Sequence, residues 1–299
     1  MASATTPRED PFAGIEDEVP SDPSAVRAHF LKRARRTYAE IHKDFVQLPR
    51  GERGTPRGSV LAELVNKRRE NALNAFLMVH SLTPVLQRPD AEPLPLQVWA
   101  RLLSAEAGPP LDDTAVSKMF TTLTNMKLIT RETRGQRSAI APLSEDGSGA
   151  TWARPGKRPT WGQGYFILPD EYWLDGYFTK LRMPGKAMLL ILLADTQAKP
   201  STVIPIERAQ EWYGVSERTA ERGYRELDRA GLLLTKRQKV ANPEVSGGFH
   251  FVYHRALSAP FSTEHRRQLQ KAARTAGDAR RAAADTSVET GGESLSGTT

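Results

Sequence analysis

The chain has 299 residues, of which 39% are hydrophobic and 26% charged, a composition typical of globular domains and sufficient for two cores of ordinary size. It contains no cysteine, which excludes disulfide bonds, thiolate metal sites and cysteine nucleophiles and fits a reducing cytoplasm. No apolar run approaches the roughly 18 residues of a membrane span, and the net charge of +7 favours a polyanionic partner.

The N-terminal region changes from acidic to basic. Residues 1–23 hold six acidic side chains and one arginine, which predicts a disordered acidic leader. From Ser24 to about Val46 apolar residues recur every three or four positions, which predicts a basic amphipathic helix. That helix either packs on the first domain or forms a homodimer contact. The Arg/Gly stretch that completes residues 24–59 is either a flexible linker or an arm for a narrow minor groove.

After this region the chain shows one plan twice. The first copy spans residues 60–143 and the second spans residues 165–260. In each, helical segments lead to a capped helix that is followed by two short strands. A linker rich in Gly, Ser and Pro, residues 144–164, joins the copies, and residues 261–299 are predicted to be a short basic helix and a disordered tail. The predicted fold class is mainly α with small β hairpins.

The second copy contains the more informative pattern. Helices are expected over residues 184–198 and 206–213, and Gly214 then supplies a turn. The hydroxyl of Ser216 suits the N-cap of the next helix, residues 217–230. Two strands follow, at residues 232–239 and 249–253. Helix, turn, capped helix and hairpin form the plan of a winged helix-turn-helix, so both copies are predicted to be winged helices.

The capped helix of the second copy has a basic outer side. Ala220, Tyr224 and Leu227 recur at helical spacing and are expected to face the core, so the arginines lie opposite. Arginine forms two parallel hydrogen bonds with guanine, or holds phosphate, and basic residues in the wing can follow the DNA backbone. The DNA contacts predicted for the second copy are Ser216, Arg218, Thr219, Arg222 and Arg225 in the helix and Lys236, Arg237 and Lys239 in the wing.

Two segments resemble known families. The string VSERTAERGYRELDRAGLL, residues 215–233, resembles the recognition-helix segment of GntR-type winged-helix regulators, and it matches their pattern at Val215, Ser216, Thr219, Leu227, Gly231 and Leu232. The GntR effector domain has no counterpart here. Residues 165–197 are similar to the opening of winged-helix domains in plasmid replication initiators, with Met183-Pro184 in place of the usual cap. This second resemblance implies a tandem pair of winged helices, as several such initiators have.

The first copy repeats the plan with fewer charges. Helices are expected over residues 60–82 and 96–104, and Asp112 or Asp113 can cap the helix over residues 114–127. Its predicted DNA contacts are Thr114, Ser117 and Lys118 in the helix and Arg134 and Arg137 in the wing. Because that helix presents one positive charge, this copy either touches DNA mainly through its wing or serves as a pairing or partner-binding domain.

Catalytic chemistry is not indicated. His250 and His254 lie on a strand and at its end, and no cysteine or clustered acid completes a metal site. No nucleophile–base arrangement or phosphate-binding glycine loop appears, so neither an enzyme nor a cofactor is predicted. The predicted function is sequence-specific binding of double-stranded DNA by a cytoplasmic transcriptional regulator of bacterial or mobile-element type. The alternatives are a plasmid-type replication initiator and a protein-interaction adaptor.

Overall fold

The computed structural model describes residues 22–49, 57–134, 137–155 and 164–292. In these ranges the chain forms helices and two-stranded antiparallel sheets, which agrees with a mainly α class containing small β hairpins. The helices are α1 (Pro23–Ala34), α2 (Val60–Asn66), α3 (Glu70–Leu86), α4 (Leu96–Leu103), α5 (Asp113–Asn125), α6 (Glu171–Leu174), α7 (Tyr177–Lys180), α8 (Met183–Asp195), α9 (Ala209–Tyr213), α10 (Glu217–Arg229) and α11 (Thr263–Gly292). The strands are β1 (Tyr38–His42), β2 (Ile129–Arg134), β3 (Arg137–Pro142), β4 (Tyr165–Pro169), β5 (Leu233–Ala241) and β6 (Phe249–Leu257).

The N-terminal segment differs from the helix predicted up to Val46. Helix α1 ends at Ala34, where Arg35 adopts a left-handed conformation with a φ of 53°. The chain then forms β1, all five residues of which are buried, and a 3-10 turn at Lys43–Phe45. The prediction of one basic amphipathic helix is therefore wrong beyond Ala34.

Strand β1 forms because a distant strand pairs with it. It runs antiparallel to β4, with Tyr38 opposite Pro169 and His42 opposite Tyr165. Aromatic and β-branched residues favour a strand only where a neighbouring strand and a buried face are present. The N-terminal segment is thereby tied to the second copy. The acidic leader up to residue 21 and the Arg/Gly residues 50–56 lie outside the described residues.

The predicted helix over residues 60–82 is two helices. Arg68, with a φ of 54°, separates α2 from α3, and α3 continues through Pro84 to Leu86. Helix α3 is buried along most of its length. It packs against α1, α4, α5 and β1 and so forms the centre of the first copy.

Helices α5 and α10 are equivalent position by position. The side chains of Asp112 and Ser216 each accept a hydrogen bond from the backbone N–H three residues later, and each helix has 13 residues. Beyond each helix a residue with positive φ ends it, Lys127 at 56° and Gly231 at 70°. In each helix four buried residues at the same spacing face the core. They are Val116, Met119, Phe120 and Leu123 in α5 and Ala220, Gly223, Tyr224 and Leu227 in α10. The core-facing positions predicted for the second copy, Ala220, Tyr224 and Leu227, are therefore confirmed.

A hairpin follows each of these helices. Strands β2 and β3 pair over six residues each, and β5 and β6 pair over nine. The predicted strands are thus present in both copies but longer than expected, because regular pairing continues into the loops. In the second copy an isolated antiparallel bridge pairs Thr202 with Arg255 and so places Thr202 beside β6.

The segment between the copies is anchored in its first half, unlike the flexible linker predicted at residues 144–164. Leu143 and Thr151 form a β-bridge, and Glu145 is buried. The Glu145 carboxylate accepts hydrogen bonds from the His42 ring at 2.8 Å and the Trp152 indole at 3.1 Å. Burial raises the pKa of Glu145, but the hydrogen bond from His42 and the charge interactions with His80 and His42 together outweigh it and leave the pKa below its usual value. Residues 156–163 lie outside the described part.

The described parts of both copies share one core. Buried residues of α1, α3, α5, α8 and α10 belong to one continuous apolar cluster. One charge contact reinforces the joint: the ammonium of the buried Lys186 lies 2.5 Å from the Glu70 carboxylate. The two copies consequently meet through packed side chains as well as through the β1–β4 pair.

The C-terminal helix is longer than predicted. Helix α11 runs from Thr263 to Gly292, whereas a short helix followed by a disordered tail was predicted over residues 261–299. Alanine and arginine, the best helix formers, dominate residues 276–284 and explain the extension. The start of α11 is held by Arg266, which is buried and donates to the carbonyls of Leu193 and Thr196 at the end of α8.

Candidate nucleic-acid interface

Helix α10 is fixed in place by an unusually close approach to α8. A Cβ atom at Gly223 would lie 2.4 Å from the Met188 side chain and 2.4 Å from the Pro184 carbonyl oxygen. Only glycine fits between two helices at that separation. Because the inner side of α10 is held this closely, its outer side is presented in a defined orientation.

A carboxylate strengthens the same contact. Glu226, on α10, accepts hydrogen bonds from the backbone N–H groups of Arg182 (3.2 Å) and Gly185 (3.0 Å) at the start of α8. A negative charge at a helix N-terminus satisfies unpaired N–H groups and interacts favourably with the helix dipole. Glu226 is therefore a positioning residue for α10, and the sequence analysis missed it.

The outer side of α10 carries the predicted arginines. Arg218 and Arg222 are exposed, and within the described residues neither forms a hydrogen bond or an ion pair. Arg225 is exposed as well and lies 3.3 Å from the Glu221 carboxylate. Surface pairs of this kind contribute about 0–1 kcal/mol, so Arg225 remains available to another anion. The surface formed by Arg218, Arg222 and Arg225 is called the arginine face below.

Two of the predicted DNA contacts, Ser216 and Thr219, form hydrogen bonds at the N-terminus of α10 instead. The Ser216 hydroxyl accepts from the Thr219 backbone N–H at 3.3 Å, and the two hydroxyls lie 2.9 Å apart. Ser216 is exposed and Thr219 half-buried. Both side chains thus lie beside the arginine face, with hydrogen-bonding capacity already engaged in capping.

The β5–β6 hairpin carries the three predicted wing cations, and all three are exposed. Two of them lie over aromatic rings: Arg237 is 4.4 Å from the centre of the Phe251 ring, and the Lys239 ammonium is 3.6 Å from that of Phe249. Lys236 lies on the other face of the strand. The rings were not predicted as functional residues, because alternating aromatics are equally typical of an ordinary strand.

At the base of the hairpin Arg255 connects β6 to α10. Its guanidinium lies 3.9 Å from the centre of the Tyr224 ring and 5.8 Å from that of Tyr253, and it donates to the Ile204 carbonyl at 2.8 Å. Burial raises the pKa of Tyr224 to about 12, although Arg255 acts in the opposite direction. Tyr224 therefore stays neutral, and a stack of side chains links the hairpin to α10.

The equivalent helix of the first copy presents little charge. Thr114 and Lys118 are exposed. Ser117 accepts a hydrogen bond from the Arg131 guanidinium at 3.0 Å, and Arg131 also lies 6.0 Å from the centre of the Phe120 ring. One of the predicted helix contacts is thus occupied by a side chain from β2.

The hairpin of the first copy is also partly occupied. Arg137 lies 2.5 Å from the carboxylate of Glu92, and both side chains are largely exposed. Arg134 ends β2, paired in register with Arg137. The predicted basic wing tip therefore includes one arginine that is already paired with a carboxylate.

Other polar groups of the second copy have local roles. Asp195, at the end of α8, accepts from the Tyr213 hydroxyl at 2.9 Å and from Thr202 at 2.6 Å. His254 lies 2.6 Å from Gln238 across the hairpin, and His250 is exposed. Among the described residues no group of three or more His, Asp or Glu is arranged to hold a metal ion.

Comparisons with known proteins return nothing that bears on this interface: no protein-family model, curated protein or solved structure matches the chain. In the described part of the chain, no helix combines the length and the hydropathy that a membrane span requires.

Proposed function

We propose that the protein binds double-stranded DNA in a sequence-specific manner, with α10 as the recognition helix in the major groove. The observation that carries the proposal is the arginine face, an exposed surface on a helix held against α8 without space for a methyl group. The major groove is about 12 Å wide and admits an α-helix. Arg218 and Arg222, free of partners among the described residues, can form bidentate bonds with guanine.

The order of elements supports a winged helix-turn-helix in the second copy. Helix α8, the bridge at Thr202, α9, α10 and the β5–β6 hairpin follow one another in the order of that fold. In such an arrangement the hairpin lies beside the recognition helix, where Lys236, Arg237 and Lys239 can bind the phosphate backbone. The first copy repeats the order with a weaker charge and is proposed to assist binding or to contact a partner.

The biological role that we favour is transcriptional regulation in the cytoplasm of a bacterial or mobile-element type of system, which needs only operator binding and no catalysis. The second candidate is a replication initiator. It is favoured by the shared core, because two winged helices held rigidly together can contact successive segments of one duplex. Transformation with a replicon that lacks any other initiator separates the two roles, since only an initiator supports its maintenance.

Selection of bound duplexes from a random pool, followed by affinity measurements, tests DNA binding. We expect an enriched site, and we expect Arg222→Ala to weaken that site by about 5- to 150-fold, corresponding to about 1–3 kcal/mol, while binding to random duplex changes little. The equivalent variant Lys118→Ala is the matched control and should leave discrimination intact. A palindromic site would indicate a homodimer. Absence of binding to any duplex at about 0.1 M salt would contradict the proposal and favour a protein-interaction adaptor.

A further inference from the structure

One face of the β5–β6 hairpin combines exposed rings with cations. Phe249, Phe251 and Tyr253 alternate along β6 and therefore point to the same side of the sheet. The register sets Arg237 opposite Tyr253 and Lys239 opposite Phe251, so both cations share that side. These five residues are called the aromatic face below.

The rings of the aromatic face are accessible. Phe251 is 44% and Tyr253 43% exposed, and Phe249 is half-buried. Large aromatic side chains are normally covered in folded proteins, so neighbouring exposed rings on one face point to a ligand. In the outer half of the hairpin, from Lys236 to Val252, every residue is exposed or half-buried.

We propose that the aromatic face binds unpaired bases of single-stranded DNA by stacking, next to the duplex held by α10; this proposal rests on the proposed function. Side chains two residues apart on a strand are about 6.7 Å apart. An extended single strand can present successive bases at a similar spacing, and stacking on aromatic rings with cations along the backbone is the usual mode of binding such strands.

The charge of the hairpin favours a nucleic acid over a protein. Between Leu233 and Leu257 the chain contains four Lys or Arg and one acidic residue, Glu244. Arg237 and Lys239 lie against the rings, within reach of the phosphates beside a stacked base. Lysine is depleted at the centres of protein interfaces, whereas a basic surface interleaved with rings suits a single strand.

The near end of the aromatic face is linked to the buried side of α10. Arg255 lies between Tyr224 of α10 and Tyr253 at the near end of the aromatic face. In a paired duplex the bases are stacked on one another, so the rings can act only where the strands have separated. If α10 holds a duplex, the aromatic face would therefore bind at a junction between paired and unpaired DNA.

The test measures fluorescence anisotropy of the full chain with a labelled oligothymidine of about 12 nucleotides and with an abasic strand of equal length and charge. The wild type should bind oligothymidine about tenfold more tightly or better. The double variant Phe251→Leu with Tyr253→Leu, which keeps apolar area but removes the rings, should reduce oligothymidine binding to the abasic level. Phe251→Trp should retain binding, and Leu234→Ala, an exposed change on the opposite face, is the matched control.

Three outcomes would overturn the proposal: equal affinity for both strands in the wild type, unchanged oligothymidine binding in a folded double variant, or a loss of self-association in that variant, which would assign the face to a second copy of the chain. Circular dichroism verifies folding. The Arg222→Ala variant distinguishes this proposal from the proposed function. It should lose duplex discrimination and keep oligothymidine binding, and either effect can fail without the other.

Discussion

Helices α5 and α10 occupy equivalent positions in the two copies and differ in what they expose. Thr114, Lys118 and Thr121 stand where Arg218, Arg222 and Arg225 stand in the second copy. The caps, the buried positions and the left-handed residue after each helix coincide. The backbone arrangement is therefore set by capping and packing, while the outward positions are free to differ. Function has to be argued from those outward positions and not from the shared fold.

The largest effect on stability is expected at the position where α5 and α10 differ in the side chain that they bury. Met119 in α5 and Gly223 in α10 are equivalent and both buried. Met119→Ala should lower the free energy of unfolding by about 2–5 kcal/mol, because it leaves a cavity among packed side chains. Urea denaturation measures the change. A loss below about 1 kcal/mol would mean that α5 is not held as tightly as its burial indicates.

The reverse change is expected to destabilise the second copy. Gly223→Ala should lower the free energy of unfolding by about 1–3 kcal/mol, because the new Cβ atom would clash with Met188 and Pro184. The higher helix propensity of alanine offsets at most about 1 kcal/mol of this. Affinity for the selected duplex should fall as well, since α10 must move relative to the hairpin. A stable variant with normal DNA binding would show that close α8–α10 packing is not required.

Much of this comparison can be anticipated from the sequence. The cap, the buried stripe and the terminal glycine of α10 are signals that lie within about 16 residues, so the helix was predicted within one residue of its observed end. The β1–β4 pair was not predicted, because its partners are more than 100 residues apart and Tyr38 and Ile41 fit a helical stripe equally well. Gly223 could be recognised as buried, but the separation of α8 and α10 could not be inferred from spacing.

The candidate DNA-binding residues divide in the same way between those set by local sequence and those set by tertiary contacts. Exposure of Arg218, Arg222 and Lys236 follows from periodicity within one element. The engagement of Ser117 by Arg131 and of Arg137 by Glu92 depends on tertiary contacts that no local pattern records. Only the packed structure distinguishes a basic residue that is available for DNA from one that is already paired.

A buried histidine in the first copy should make the stability of the protein depend on pH. His80 in α3 is buried, which lowers its pKa, although Glu145 opposes the shift. The imidazole of His80 takes up a proton near pH 6.5 in the unfolded chain but not in the folded chain. The contribution of His80 to the free energy of unfolding is therefore complete above pH 6.5 and declines below it. The slope should be about 1.4 kcal/mol per pH unit until the lowered pKa is reached. His80→Leu should flatten the stability profile below pH 6.5; an unchanged profile would contradict the assignment.

The residues that end the two helices allow a smaller test. Gly231 has a φ of 70° and open space around it, whereas Lys127 adopts a similar backbone conformation with a side chain present. Gly231→Ala should therefore lower the free energy of unfolding by about 1 kcal/mol, from backbone strain alone. Thermal unfolding measures the shift. Gly277→Ala, in α11 and also in open space, is the control and should be neutral or stabilising. A neutral Gly231→Ala would show that the helix end adjusts to the left-handed requirement.

The smallest effect is expected in the hairpins. Lys236 is exposed and has no partner among the described residues, while Arg137 of the first copy is paired with Glu92. Lys236→Ala should weaken specific and random duplexes alike and reduce the slope of log affinity against log salt by about 1, because one phosphate contact is lost. Arg137→Ala should leave the slope within the error of measurement, since its charge is already partly neutralised. If Arg137→Ala reduced the slope and Lys236→Ala did not, the first copy would hold the main DNA contacts, and the difference in charge between α5 and α10 would have no functional consequence.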